Sequence, residues 1–143
     1  MEKIRAAKGA LTLIPLVICC CNIITTVNAR RVIVGGEQQH WHFGFNYTDW
    51  ALNAGPFRLH DTLVFMYARP NGSIYHDVYR LQDFNKFQAC DFQGAQRLTH
   101  ENGGVDSGFA YVLKERKPHY FACGIHAGVH CRIGLMKFSV NPS

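Results

Sequence analysis

The sequence predicts an all-β fold, a sandwich or barrel built from short strands. Three observations carry that expectation. Seven runs rich in Val, Ile, Phe and Tyr recur along the chain, Gly, Pro, Asn and Asp punctuate the gaps, and "TLVFMY" alternates, with Leu63, Phe65 and Tyr67 on one face and Val64 and Met66 on the other.

Taken in order, "RVIVGG" starts at Arg31 and ends on a glycine pair, and the aromatic "HWHFGF" follows as a second strand. "DTLVFMY" is the third and runs into "RPNGS", a turn. "SIYHDVYRL" is the fourth and places His76 on a strand, with Tyr75 and Asp77 directed to the opposite face. Between Phe84 and Gly108 the pattern loosens into a long loop with one helical turn. "GFAYVL", "HYFAC" and "MKFSV" complete the set. There is no internal repeat and no low-complexity linker.

The front of the chain differs in kind. Lys3, Arg5 and Lys8 precede a mostly apolar stretch from Ala10 to Ile24, and "VNA" stands before Arg30. This three-part layout is that of a secretory leader over residues 1–29, with cleavage after Ala29, and leaves residues 30–143 as one domain. Pro15 and Asn22 interrupt the apolar run and argue against a membrane anchor, and no later segment is apolar for long enough to span a bilayer. The end at "KFSVNPS" lacks the polar spacer and apolar tail of a glycolipid-anchor signal. The expected product is secreted, in the extracellular space or cell wall.

The whole chain carries a formal net charge of +5; losing Glu2 and the three basic residues of the leader lowers this to +3. With no dense Lys/Arg run, nucleic-acid binding is excluded as a working function. Cys19, Cys20 and Cys21 leave with the leader, so the domain keeps Cys90, Cys123 and Cys131. An odd number in an oxidising compartment leaves one thiol to be explained by intermolecular pairing, reactivity or a metal.

The stretch "HYFACGIHAGVHCRIGLMKF" gathers two of those cysteines with three histidines and Met136. Thiolate and imidazole donors together select copper or zinc. Paired Cys-x2-Cys or His-x3-His spacings, the common signature of structural zinc, are missing from the domain. Two histidines and a cysteine with a weak axial thioether form the blue-copper arrangement instead. Cys123, a following histidine and Met136 offer three of its parts in order, and His76 is available two runs earlier.

With "FMYARPNGSIYHDVYRLQDFNKFQAC", the same stretch resembles the phytocyanins, plant secreted blue-copper proteins of basic blue or early-nodulin-like type. The shared order is a strand histidine, Phe-x-x-Cys, Tyr-Phe-x-Cys, and His-Cys followed by Gly and Met-Lys. The resemblance runs from "RVIVGG" and "FNYTDWA" to "MKFSV" and implies a cupredoxin-like Greek-key β-sandwich of about seven or eight strands with one disulfide. By position it implies His76, Cys123 and His130 as equatorial ligands of one copper ion, with Cys90 and Cys131 as the disulfide pair.

The chain departs from the family pattern in two places. Six residues rather than four separate Cys123 from His130, and Leu135 occupies the position five after that histidine, with Met136 one later. Met136 is the expected axial residue if a small bulge absorbs the extra position, and Leu135 is the rival. His126 is a rival imidazole, although it stands only three positions beyond Cys123; His40, His42, His60, His100 and His119 are read as surface or strand-end histidines. Asn46 and Asn71 begin two glycosylation sequons, the second within the "RPNGS" turn, while Pro142 disqualifies Asn141.

The function expected is one-electron transfer between extracellular partners, either a redox protein or a small reductant, with contact to the cell wall or surface and no quaternary assembly. No enzymatic activity is expected, because a cysteine at the end of a strand lacks the setting of a thiol nucleophile and a closed ligand set leaves substrate no position. The alternative is a binding or signalling module on the same scaffold in which copper is weakly held or dispensable.

Overall fold

The computed structural model describes residues 28–143. All but the last two residues of the leader expected over 1–29 lie outside them.

Among the described residues, seven strands form two sheets. β1 (Arg31–Ile33), β2 (Thr62–Phe65) and β5 (Phe109–Val112) make one, in the order β1-β2-β5; β3 (Val78–Leu81), β4 (Gln96–Thr99), β6 (His119–Ala122) and β7 (Lys137–Val140) make the other, in the order β4-β3-β6-β7. β1 runs parallel to β2, and every other pairing is antiparallel. β2 pairs with β5 and β3 with β6, so neighbours in a sheet are distant in sequence, as Greek-key connections require. The fold is the expected cupredoxin-like sandwich.

Alternation explains the shared core. Leu63 and Phe65 of β2, Phe121 of β6 and Phe138 of β7 enter one cluster with Trp41, Tyr47 and Tyr67. The rings meet at tilted or edge-on angles, Trp41–Phe65 at 5.3 Å, Phe65–Phe121 at 5.5 Å and Phe121–Phe138 at 5.3 Å.

Three expectations need correction. "HWHFGF" is not a strand: His40 and Gly44 adopt positive φ (56° and 90°), and its backbone is held by Trp41 N–H donating to Met66 O at 2.7 Å. Its aromatic content serves burial of Trp41, whose indole N–H donates to Asp77 O at 3.0 Å. Between Phe84 and Gly108 lie a helix, α3 (Phe84–Ala89), and strand β4, in place of one long loop. Asp83 caps α3 by accepting from Lys86 N–H at 2.9 Å. Finally, His76 precedes β3 rather than lying on it, and both His76 and Asp77 are buried. Among the described residues, two short helices precede β2, α1 (Gly36–Gln39) and α2 (Tyr47–Ala54); Asn46, the first sequon asparagine, caps α2 by accepting from Asp49 N–H at 3.2 Å.

The start of β1 is anchored on a fully buried carboxylate. Asp61 accepts from Arg30 N–H at 2.8 Å and Arg58 N–H at 2.9 Å, and it pairs with the Arg30 guanidinium at 3.3 Å. Burial pushes its pKa up, but those two amides and the guanidinium outweigh burial and hold the carboxyl below its ordinary value. A depressed folded pKa gives stability that is complete above the unfolded value, about 3.9, and lost as pH falls through the folded value. Asp61→Asn is therefore expected to flatten the acid limb of the stability curve, read by circular dichroism below about pH 4; an unchanged acid limb would refute this role.

Candidate metal centre

One end of the sandwich brings together residues from three segments. His76 enters just before β3, Cys123 lies directly after β6, and His130 lies in α4 (Ile125–Arg132). Their donor atoms all fall within 4.8 Å of one another, and the three side chains are buried. His130 Nδ1 stands 3.2 Å from His76 Nδ1 and 3.4 Å from Cys123 Sγ. Donors bound to one ion at about 2.0–2.3 Å must lie a few ångströms apart, which these spacings satisfy. Two imidazole nitrogens and one sulfur suit copper or zinc better than a hard, oxygen-seeking cation.

The long Cys123 to His130 connection does not open the site, because it coils. α4 is broken by three residues in left-handed conformation, His126 (φ 53°), Ala127 (φ 52°) and Gly128 (φ 81°). This break takes up the two extra residues and returns His130 to Cys123. His126 is carried outward, where its Nε2 meets Ser73 O at 3.1 Å; it stands outside the donor cluster. The Cys90–Cys131 disulfide is present and ties the segment after α3 to the residue beside His130. Cys123 is the free cysteine among the described residues.

The backbone after His130 treats the two axial candidates differently. Leu135 takes φ 56°, and a tight turn closes with Lys137 N–H donating to Leu135 O at 2.8 Å. Met136 is consequently turned inward and fully buried in the cluster that contains Cys123, whereas Leu135 is 44% exposed. Met136 is also bound into the site by its main chain, donating to His130 O and accepting from Cys123 N–H, each at 3.0 Å.

Gly134 permits this closure. A Cβ there would stand 2.4 Å from the Phe43 ring and 2.6 Å from His130 O. Gly134→Ala is expected to destabilise the domain by about 1–3 kcal/mol through overpacking, measured by urea denaturation, with His130 displaced; wild-type stability would show that Phe43 yields freely.

Asp77 is the residue that the sequence pattern concealed. Its Oδ1 accepts from Gly124 N–H at 2.7 Å, and its Oδ2 lies 3.4 Å from Arg97 Nη2. It thereby fixes the turn after Cys123 from the residue next to His76. The only signal in the sequence was adjacency to His76.

Burial controls the protonation of the three donors. It pushes the Cys123 thiol pKa up, aided by the Asp77 carboxylate, and pushes His76 down to about 4, aided by His130 and His42. His130 is lowered too, by burial and then by His126. At neutral pH the pocket favours neutral groups, two imidazoles and a thiol, so a cation that replaces the thiol proton supplies the charge a thiolate needs.

Of the remaining histidines, His119 is buried at the start of β6, with Nε2 3.1 Å from Glu115 O, and His42 meets Gln39 and Phe43 O. Neither belongs to a metal-holding group among the described residues.

A family model described as a plastocyanin-like domain matches residues 41–135. Among curated proteins, early nodulin-55-2 of Glycine max is 24% identical over 84% of the chain, and early nodulin-like protein 20 of Arabidopsis thaliana is 30% identical over 71%. The chain spans 60% and 56% of the lengths of these two relatives. Among solved structures, cucumber stellacyanin with Cu2+ aligns at TM-score 0.60 and 27% identity, covering 80% of this chain and 96% of its own. Spinach plantacyanin aligns at TM-score 0.50 and 25% identity, covering 73% and 94%. A sandwich of this topology, a disulfide beside a buried two-histidine, one-cysteine cluster, and a family match across most of the described residues lead to one assignment: the chain belongs to the plastocyanin-like domain family, as a phytocyanin.

Proposed function

We propose that this protein is a secreted type 1 copper protein that carries one electron at a time between extracellular partners. The observation that carries the reading is the buried convergence of His76, Cys123 and His130, with donor spacings of 3.2 and 3.4 Å. Copper, when bound, supplies a one-electron couple between Cu(II) and Cu(I). The chain's own part is to hold the donors in one arrangement. Cys123 is fixed by β6 and by the Asp77 contact to Gly124, and His130 by the disulfide at Cys131 and the Met136 amide. A cage tied at this many points reorganises little between oxidation states, which favours electron transfer over substrate chemistry.

The way in is the face around His130. A surface hollow of about 480 Å³ is lined by His42, Phe43, Ser73, Ile74, His126 and the two histidine donors. Exposed Phe43 and Ile74 give its lining an apolar part, and Phe43 packs edge-on to His130 at 5.2 Å. A redox protein or a small extracellular reductant docking there would approach the imidazole edge. The domain over 30–143, the leader over 1–29, a monomeric state, the absence of catalysis and glycosylation at the exposed Asn71 belong to the same proposal. Among the described residues, no helix is long and apolar enough to cross a membrane.

The test is a Cu(II) titration of the domain with intact disulfide, followed by visible and electron paramagnetic resonance spectra. One equivalent should produce an intense thiolate-to-copper band. Met136→Leu should change the spectrum and raise the reduction potential, since a weak donor is lost, while Leu135→Ala should leave both unchanged. The reverse pattern would give the axial position to Leu135. A folded, colourless protein that binds no copper would defeat the electron-carrier reading and favour the metal-independent binding module.

A further inference from the structure

The structure assigns Asp61 as the docking carboxylate for a new amino terminus: we propose that hydrolysis of the Ala29–Arg30 peptide bond creates an α-ammonium on Arg30 that pairs with Asp61 and locks β1 into the sheet. This goes beyond copper chemistry and uses a buried carboxylate remote in function from the metal centre.

Arg30 is already held as a terminal residue would be. Its backbone nitrogen stands 2.8 Å from Asp61 Oδ1, its carbonyl accepts from Thr62 N–H at 2.7 Å, and its guanidinium donates to Pro56 O at 2.7 Å and pairs with Asp61 Oδ2 at 3.3 Å. Its guanidinium also stands 5.9 Å from the Phe57 ring centre. Immediately upstream this order stops. Asn28 and Ala29 are exposed and belong to no strand or helix, so the bond before Arg30 is accessible while the bond after it leads into β1. The leader-type pattern read in the sequence ends at the same bond.

Asp61 supplies the physical reason for a charge at this nitrogen. Its side chain is fully buried, and the guanidinium is its one cationic partner among the described residues; the other two contacts are neutral amides. Buried carboxylates are costly unless paired and hydrogen-bonded. In the hydrolysis, water adds across the peptide bond, Ala29 takes the hydroxyl as a carboxylic acid, and Arg30 takes hydrogen as an amine that is protonated at neutral pH. A leader peptidase is the catalyst. An amide dipole at 2.8 Å is thereby replaced by a full positive charge, turning a neutral-donor hydrogen bond into a charge-assisted pair. The adjoining turn carries the effect inward, because Asp61 O accepts from Leu113 N–H at 2.9 Å and His60 N–H donates to Leu113 O at 2.7 Å.

The experiment has two arms. The full 1–143 chain is secreted from plant cells and the mass of the product measured; a first residue of Arg30 is expected, and any other start overturns the proposal. The seven strands of the described residues, the disulfide and their apolar core lie between Arg30 and Ser143, so the domain is then prepared in three forms: a free Arg30 amine, an acetylated Arg30 amine, and Asn28–Ala29 retained. The free-amine form is expected to melt about 5 °C above both others, a shift that reports a terminal pair in a domain of this size. Equal melting temperatures overturn the proposal. In the Asp61→Asn background the free-amine advantage should vanish, and its persistence there would place the charge partner elsewhere. Should Asp61→Asn fail to fold, the three forms with Asp61 intact decide alone.

Discussion

Replacing Cys123 by serine is expected to abolish the intense visible band of the Cu(II)-loaded protein while the metal-free domain still folds. Cys123 is the one free cysteine among the described residues, the other two in the domain being joined in the disulfide, so no other thiolate can substitute. Its sulfur lies 3.4 Å from His130 Nδ1, inside the same buried cluster as His76. A serine hydroxyl is a harder donor with a far higher pKa and gives no such charge-transfer transition. Loss of supporting contacts around a metal commonly costs 10–100-fold in affinity, so loss of the thiolate itself should cost on the order of 100-fold or more. The stability cost should be small, about 1–2 kcal/mol for a buried hydroxyl, measurable by thermal melting of the apo protein. An unchanged absorption spectrum would remove Cys123 from the centre.

The second large effect is expected from the double substitution Cys90→Ala with Cys131→Ala. The bridge closes a sequence separation of 41, for which chain-entropy reasoning gives about 4 kcal/mol. In a domain of this size that is a fall in melting temperature of roughly 15 °C. The consequence is not confined to stability. Cys131 adjoins His130, at the end of the segment kinked at His126, Ala127 and Gly128. Untying one end should broaden the electron paramagnetic resonance signal of the Cu(II) form and weaken binding. If the melting temperature fell but the spectrum kept its shape, the Met136 amide bond to His130 O would suffice to place the imidazole.

How much of this was legible beforehand differs by residue. The order His76, Cys90, Cys123, His130-Cys131 was readable because donor types and their order survive changes in loop length. The division of the cysteines between bridge and free thiol followed from family resemblance, and the structure shows the bridge. The strands around β2, β5, β6 and β7 were visible as apolar runs. The "HWHFGF" run misled because its aromatics are apolar for a different reason: Trp41 fills the core from a loop. Strand β4 was hidden because "QRLT" pairs at a sheet edge, with much of its length exposed and little apolar content to mark it.

Residue types and their order were enough to indicate the class of fold and, through the family resemblance, to nominate the candidate donors and the unpaired thiol. Only the tertiary structure decided that a longer Cys123 to His130 segment still closes, that Met136 faces in while Leu135 faces out, and that Asp77 and Asp61 are buried anchors. Those outcomes turn on backbone torsions at His126 to Gly128 and Leu135, and on partners tens of residues away in the chain. Local patterning records which side chains alternate; it does not record which distant amide a carboxylate meets, because that is selected by packing the two sheets against one another.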